Sequence, residues 1–302
     1  MHFNYCQIAG GNFGDDLNRL MWPALFPELP QMGGHVAVYG IGTILGGTHA
    51  RSQHKVVLGS GLGGARIRPL RGSWDFRWVR GPCTALRLRL APERALGDPA
   101  SLWPVLQASP TGEGAWGLMP HHATWDGFDW EQVAGQAGML AINPKQSPVA
   151  VVAQMRRCSR VLSESLHGAI FADALGIPWA GCVLSHRFNQ FKWRDWLATV
   201  NRPFSPFVAD RPLVRQISRN KALRNRFARW SGYLRGSRNP ALRAVAPSSV
   251  ADAWQVSDAL ARYAGHEGNF ACSPAQQVET QRQRMLQACQ TFARDYGLRC
   301  TA

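Results

Sequence analysis

Short apolar runs closed by glycine fill the N-terminal part of the chain, a rhythm of buried parallel strands rather than of long amphipathic helices. Residues 3–8, 35–39, 55–58 and 76–79 are the expected strands. The first three lead into GGNFGDD at 10–16, GIGTILGG at 40–47 and GSGLGG at 59–64. The glycines therefore fall where strands end and the backbone must turn sharply or approach a ligand. After PVLQASPTGEG at 104–114, whose turn formers suggest a linker, strands are expected near 115–119, 139–142, 160–162 and 179–183. Polar helices are expected near 248–263 and 274–296.

One segment of the second region stands out. SESLHGAIFADALGIP at 163–178 places a lone histidine where a strand turns into a helix that ends near Gly176, before Pro178 and another apolar strand. The order helix, strand, Ser/His turn, helix, strand belongs to a doubly wound α/β domain, in which ligands gather at the carboxyl ends of strands.

Composition narrows the classes. The chain has 302 residues, enough for two domains with their own cores, and 45% hydrophobic residues. It has no run of about eighteen apolar residues and no basic region followed by an apolar one at its start, so a cytoplasmic location, or one on the inner face of the plasma membrane, is expected. Seven cysteines without a CxxC pair suggest reduced, mostly buried thiols. The net charge of +15 is concentrated. Residues 211–251 hold no carboxylate but many cations, among them Arg215, Arg219, Lys221, Arg224, Arg226 and Arg229. Leu213, Ile217, Leu223, Phe227, Trp230 and Leu234 form an apolar stripe through them, a pattern suited to an anionic membrane surface. The same stripe could pack on its own domain, and nucleic acid is the less favoured partner because a basic patch alone is only an electrostatic footprint.

The glycine loops lack the lysine of GxxxxGK[ST], and none forms GxGxxG with a suitably placed acid. No HExxH or other tight ligand spacing calls for a metal, and no cofactor is expected. What remains is a series of strand-end segments: NFGDDLN at 12–18, GSGLGG, VRGPCT at 79–84, LGDP at 96–99, PHH at 120–122 and SESLHG at 163–168. In that order they resemble the polysaccharide pyruvyl transferase family, in particular the ketal pyruvate transferases of bacterial exopolysaccharide synthesis. The resemblance runs over residues 12–183, and its most specific parts are NFGDDLN, VRGP, GDP and SLHGxxxADALGIP.

The resemblance implies two Rossmann-like domains facing a cleft, as in GT-B glycosyltransferases. Their expected limits are 1–110 (acceptor side and part of the donor site) and 111–210 (the SLHG motif), followed by basic and C-terminal helices over 211–302. It also implies transfer of the carboxyethylidene group of phosphoenolpyruvate to two hydroxyls of a sugar, the expected acceptor being an exopolysaccharide or a lipid-linked glycan. That chemistry needs a proton donor, a proton acceptor and positive partners for the donor's phosphate and carboxylate. Histidine titrates near neutrality and can do either proton job, which points to His167.

Asp15 and Asp16 are candidate bases, although either could simply cap the next helix, and Asp98 carries the same ambiguity. Arg80 is the expected anion partner through a bidentate contact. Ser163, Ser165, Leu166, Gly168 and Gly61 complete the expected donor site, while Asn12, His121 and His122 are placed on the acceptor side. Many relatives carry arginine where this chain has Ser165, a departure shared with the exopolysaccharide enzymes. Two other readings stay open: a GT-B glycosyltransferase using a nucleotide sugar, and a non-catalytic basic protein that binds membrane or nucleic acid.

Overall fold

The computed structural model describes residues 2–29, 35–47, 49, 54–64, 67, 69–103, 114–185, 188–213 and 248–301. The proposed linker up to residue 113 and almost all of the basic segment lie outside the described residues. Two sheets organise the rest, and every strand pair within them is parallel.

The first sheet has the order β1-β2-β3-β4, from His2–Phe3, Val36–Tyr39, His54–Leu58 and Trp74–Trp78. Its inner strands are buried nearly end to end, as parallel strands covered on both faces must be. The first strand is shorter than the apolar run suggests. Only Asn4 N–H continues the ladder, donating to Val38 O, and Gly10 and Gly11 then turn the chain with positive φ. All four strands release their loops at one end, so NFGDD, the loops after Gly40 and Gly59, and VRGP share one rim.

The second sheet has the order β6-β5-β7-β8-β9. Its strands are β5 (Ala115–Met119), β6 (Leu140–Ala141), β7 (Cys158–Ser163), β8 (Trp179–Ser185) and β9 (Phe207–Leu213). After β5 the chain goes first to one side, to β6, and then to the other, to β7. The ends of β5 and β7 therefore form a topological switch point, where parallel α/β sheets leave a crevice. His121 and the Ser163–Leu166 turn stand at those two ends. β9 was not expected, because FVADRPL mixes charge and proline with its apolar residues.

Helices cover the sheets as their caps dictate. Ser147 Oγ accepts from Ala150 N to start the helix Pro148–Met155, and Ser249 with Asp252 forms a capping box on Val250–Ala264. The C-terminal helix Ala275–Asp295 returns to the first sheet. Phe292 meets Phe26 with ring centroids 5.2 Å apart, the Tyr296 hydroxyl donates to Asp75 at 3.0 Å, and Arg77 pairs with Asp295.

One apolar cluster runs from Val38 and Trp78 through Phe13 to Val161 and Phe171, so the cores of the two sheets are continuous. All seven cysteines are free, but only Cys158, Cys182 and Cys289 are buried; Cys6 is exposed. Among the described residues no helix is long and apolar enough to cross a membrane.

Candidate active site

The NFGDD loop crosses from the first sheet to the second. Phe13 N–H donates to Pro144 O at 3.0 Å, and the Phe13 ring stands edge-on to His167 and Phe171. Gly14 lies directly on the imidazole: a Cβ there would come within 1.9 Å of His167 Nδ1, so no other residue permits this approach. The short helix Phe13–Asp16 then fixes the two carboxylates differently. Asp16 Oδ2 accepts from the Asn12 backbone N–H at 3.0 Å, while the buried Asp15 accepts from Asn12 Nδ2 at 2.5 Å. Neither caps the following helix Asn18–Leu25, whose N-cap is Leu17. Asn18, fully buried, ties that helix to the loop after β2 by donating to Asp15 O and Ile41 O and accepting from Ile41 N.

Burial raises the Asp15 pKa to about 6, against smaller opposing pulls from His167 and Lys192. A carboxyl group in that range exchanges a proton near neutrality.

Asp98 serves two ends. In extended backbone before Pro99, its Oδ1 accepts from Ala100 N at 3.0 Å, as the capping reading anticipates. Its Oδ2 is buried without a hydrogen-bond partner among the described residues and lies 3.7 Å from His167 Nε2. The His167 side chain retains 13% exposure while Asp98 has none, so the imidazole stands between a buried carboxylate and the opening. His167 belongs to the first turn of the helix Leu166–Ala174. Ser165 is its N-cap without a side-chain capping bond, and Ser163 Oγ donates to Ser165 O at 2.8 Å. Ser163, Ser165, Leu166 and Gly168 are all buried, Gly168 against Ser163 Oγ and Met119 Sδ.

Arg80 is almost wholly buried and engaged. Its Nε donates to Asp195 Oδ2 at 3.2 Å, with Nη2 3.1 Å from the same oxygen. Nη1 donates to Thr43 Oγ1 at 2.9 Å and Nη2 to Leu62 O at 2.7 Å. The bidentate edge expected to meet a ligand thus faces Asp195. Gly61 makes this possible, since a Cβ there would lie 2.4 Å from the guanidinium carbon. Asp195 also accepts from Thr84 N and Thr84 Oγ1, at 2.9 and 2.6 Å. VRGPCT is therefore a latch for the helix Gln190–Leu197, which follows β8.

That helix brings in a residue the sequence did not mark. Lys192 is partly buried, and its pKa is lowered by desolvation and then by Arg80, with Asp15, Asp98 and Cys6 acting in the opposite direction. FNQFKWRDW shows an aromatic, charged segment, but only its anchoring reveals which way Lys192 faces.

His121 and His122 do not continue the strand. His121 caps the helix His122–Trp125 through Nδ1, and the two rings lie 4.1 Å apart. The His121 N–H donates to Glu164 Oε2 at 2.9 Å, and Leu184 N–H donates to Glu164 Oε1 at 3.2 Å. The buried Glu164, also unmarked in sequence, thereby joins the ends of β5, β7 and β8 at the crevice floor.

A histidine facing the buried Asp98 carboxylate, with Asp15 raised to about 6 close by, stands at the switch point of a parallel sheet and gives this α/β protein groups able to hold and move protons. Residues 127–186, which include the SLHG turn, match the family model for polysaccharide pyruvyl transferases. The chain belongs to that family, a family of transferases. Over 210 residues it is 33% identical to the "Succinoglycan biosynthesis protein ExoV" of Rhizobium meliloti (strain 1021), an alignment covering 67% of this chain and 66% of that protein.

Proposed function

We propose that this protein transfers the carboxyethylidene group of phosphoenolpyruvate to two hydroxyls of one sugar during exopolysaccharide synthesis. Family membership and the likeness to a succinoglycan biosynthesis protein support the reaction class. The observation that carries the reading is the meeting of Asp15, Asp98 and His167 at one rim, with Asp15 titrating near 6.

In the proposed sequence, protonated Asp15 gives its proton to the methylene carbon of the donor as the first sugar hydroxyl bonds to C2. His167 takes that hydroxyl's proton, with Asp98 behind Nε2 stabilising the resulting imidazolium. The C2–O bond to phosphate then breaks, phosphate leaving with the electron pair and accepting the proton from His167. The second hydroxyl closes the ketal on C2 and returns its proton to Asp15, which restores the starting state. Arg80 acts from behind as a fixed positive charge, and Asn12, His121 and His122 border the acceptor side.

The acceptor in this reading is a lipid-linked glycan at the cytoplasmic membrane face, approached through the basic segment beyond residue 213. The two sheets correspond to two Rossmann-like domains in a GT-B-like pair, with limits near 110 and 210. Purified protein given phosphoenolpyruvate and a lipid-linked oligosaccharide should release phosphate and add the mass of a carboxyethylidene group to the glycan. Consumption of a nucleotide sugar, with no phosphate released from phosphoenolpyruvate, would overturn the proposal.

A further inference from the structure

The donor in this reaction carries a phosphate and a carboxylate, yet the residues closest to His167 include two carboxylates. Arg80 does not offset this alone, because its guanidinium is already paired with Asp195. The helix Gln190–Leu197 supplies a second cation. Asn189, Lys192 and Asp195 are spaced three apart and therefore share one helical face. Both outer members of that face are tied to the first sheet's rim: Asn189 Nδ2 donates to Gly63 O at 2.7 Å, and Asp195 is held by Arg80 and Thr84. Lys192, between them, is directed at the same rim.

Among the described residues its Nζ makes no hydrogen bond or close ion pair, although Asp15, Asp98, Arg80 and Cys6 all act on its charge. Its neighbours on the face are fully engaged while its ammonium is left for something else. We infer that Lys192 is a donor-binding residue whose ammonium pairs with an anionic group of phosphoenolpyruvate, phosphate or carboxylate, beside His167. The assignment rests on the pyruvyl-transfer reading. Desolvation lowers the pKa of this lysine, and an anion beside it would favour its charged form.

The test uses the full chain. Titration calorimetry with phosphoenolpyruvate should show Lys192→Gln binding about 10–100-fold more weakly than the wild type, the range for loss of a hydrogen bond to a charged group. Lys192→Arg should recover part of the loss. In turnover, KM for phosphoenolpyruvate should rise while KM for the acceptor stays put. Inorganic phosphate and pyruvate, used as competitors, distinguish the two ends of the donor: whichever loses its competition in Lys192→Gln marks the group that Lys192 holds.

A second measurement needs no variant. Phosphoenolpyruvate should slow acetylation of Lys192 by acetic anhydride in the wild type, followed by mass spectrometry. Wild-type donor affinity in folded Lys192→Gln, or no protection from acetylation, would overturn the assignment and leave Lys192 a neutralising partner of Asp15 and Asp98. Failure of the wild type itself to bind phosphoenolpyruvate would instead overturn the functional reading on which the assignment depends.

Discussion

Two buried acidic centres lie along the same rim and differ in how fully their atoms are matched. Around Asp195, both carboxylate oxygens accept hydrogen bonds, and the paired Arg80 is further held by Thr43 and the Leu62 carbonyl. Around His167, Asp98 keeps one buried oxygen without a hydrogen bond among the described residues, and burial raises the Asp15 pKa to about 6. Buried polar groups are normally satisfied, and those that are not mark strain or chemistry. The first centre is complete within the protein and holds it together; the second is the one that the proposed function assigns to the substrate.

The contrast is sharpest in stability. Asp195→Ala strips a buried guanidinium of its counter-charge and the helix Pro82–Leu88 of a partner for Thr84 N. Removing one member of a buried pair costs about 3–5 kcal/mol, which urea unfolding should show as a lowered midpoint. A change within about 0.5 kcal/mol would erase the distinction between the centres.

Asp15→Asn should do the opposite. The Asp15 pKa is raised in the fold to about 6 from an ordinary 3.8, so the native state favours the protonated acid. The resulting penalty is absent below pH 3.8, grows as pH rises towards 6 and is complete above it. A shift of about two units corresponds to roughly 3 kcal/mol, taken as an upper bound. Asp15→Asn should therefore be more stable than the wild type at pH 7.5, lose that advantage near pH 4, and be catalytically impaired. Equal stability at pH 7.5 would show that Asp15 is not held under strain.

Asp98→Asn tests the open oxygen alone. The amide oxygen can still accept from Ala100 N, so the cap survives while the charge facing His167 disappears. Turnover should fall about tenfold, equivalent to ~1.4 kcal/mol, with the urea midpoint nearly unchanged. An equal loss of stability and activity would make Asp98 merely a cap.

What could be read in the sequence follows the same division. His167 was legible because its turn, between an apolar run and a helical one, is local. Most strands were legible because parallel sheets leave continuous apolar runs, but β9 was not, since FVADRPL mixes charge and proline with its apolar residues. Arg80 showed as an anion-binding arginine because its partner lies 115 positions away on a helix whose anchoring no local pattern records. Asp98 read as either a cap or a chemical group, and its two oxygens divide along that line, one accepting from Ala100 N and one facing His167. Lys192 gave no signal beyond its charged segment, since its significance comes from neighbours on three other loops. Local chemistry is written in short motifs, while the choice between satisfied and open polar groups depends on contacts between distant segments.

The central claim, that the open centre is the one that moves protons, is tested most directly by acceptor-dependent phosphate release from phosphoenolpyruvate in His167→Gln beside the wild type. The expected result is a loss of about 10²–10⁴ in turnover with the melting temperature preserved. Turnover within threefold of the wild type would contradict it.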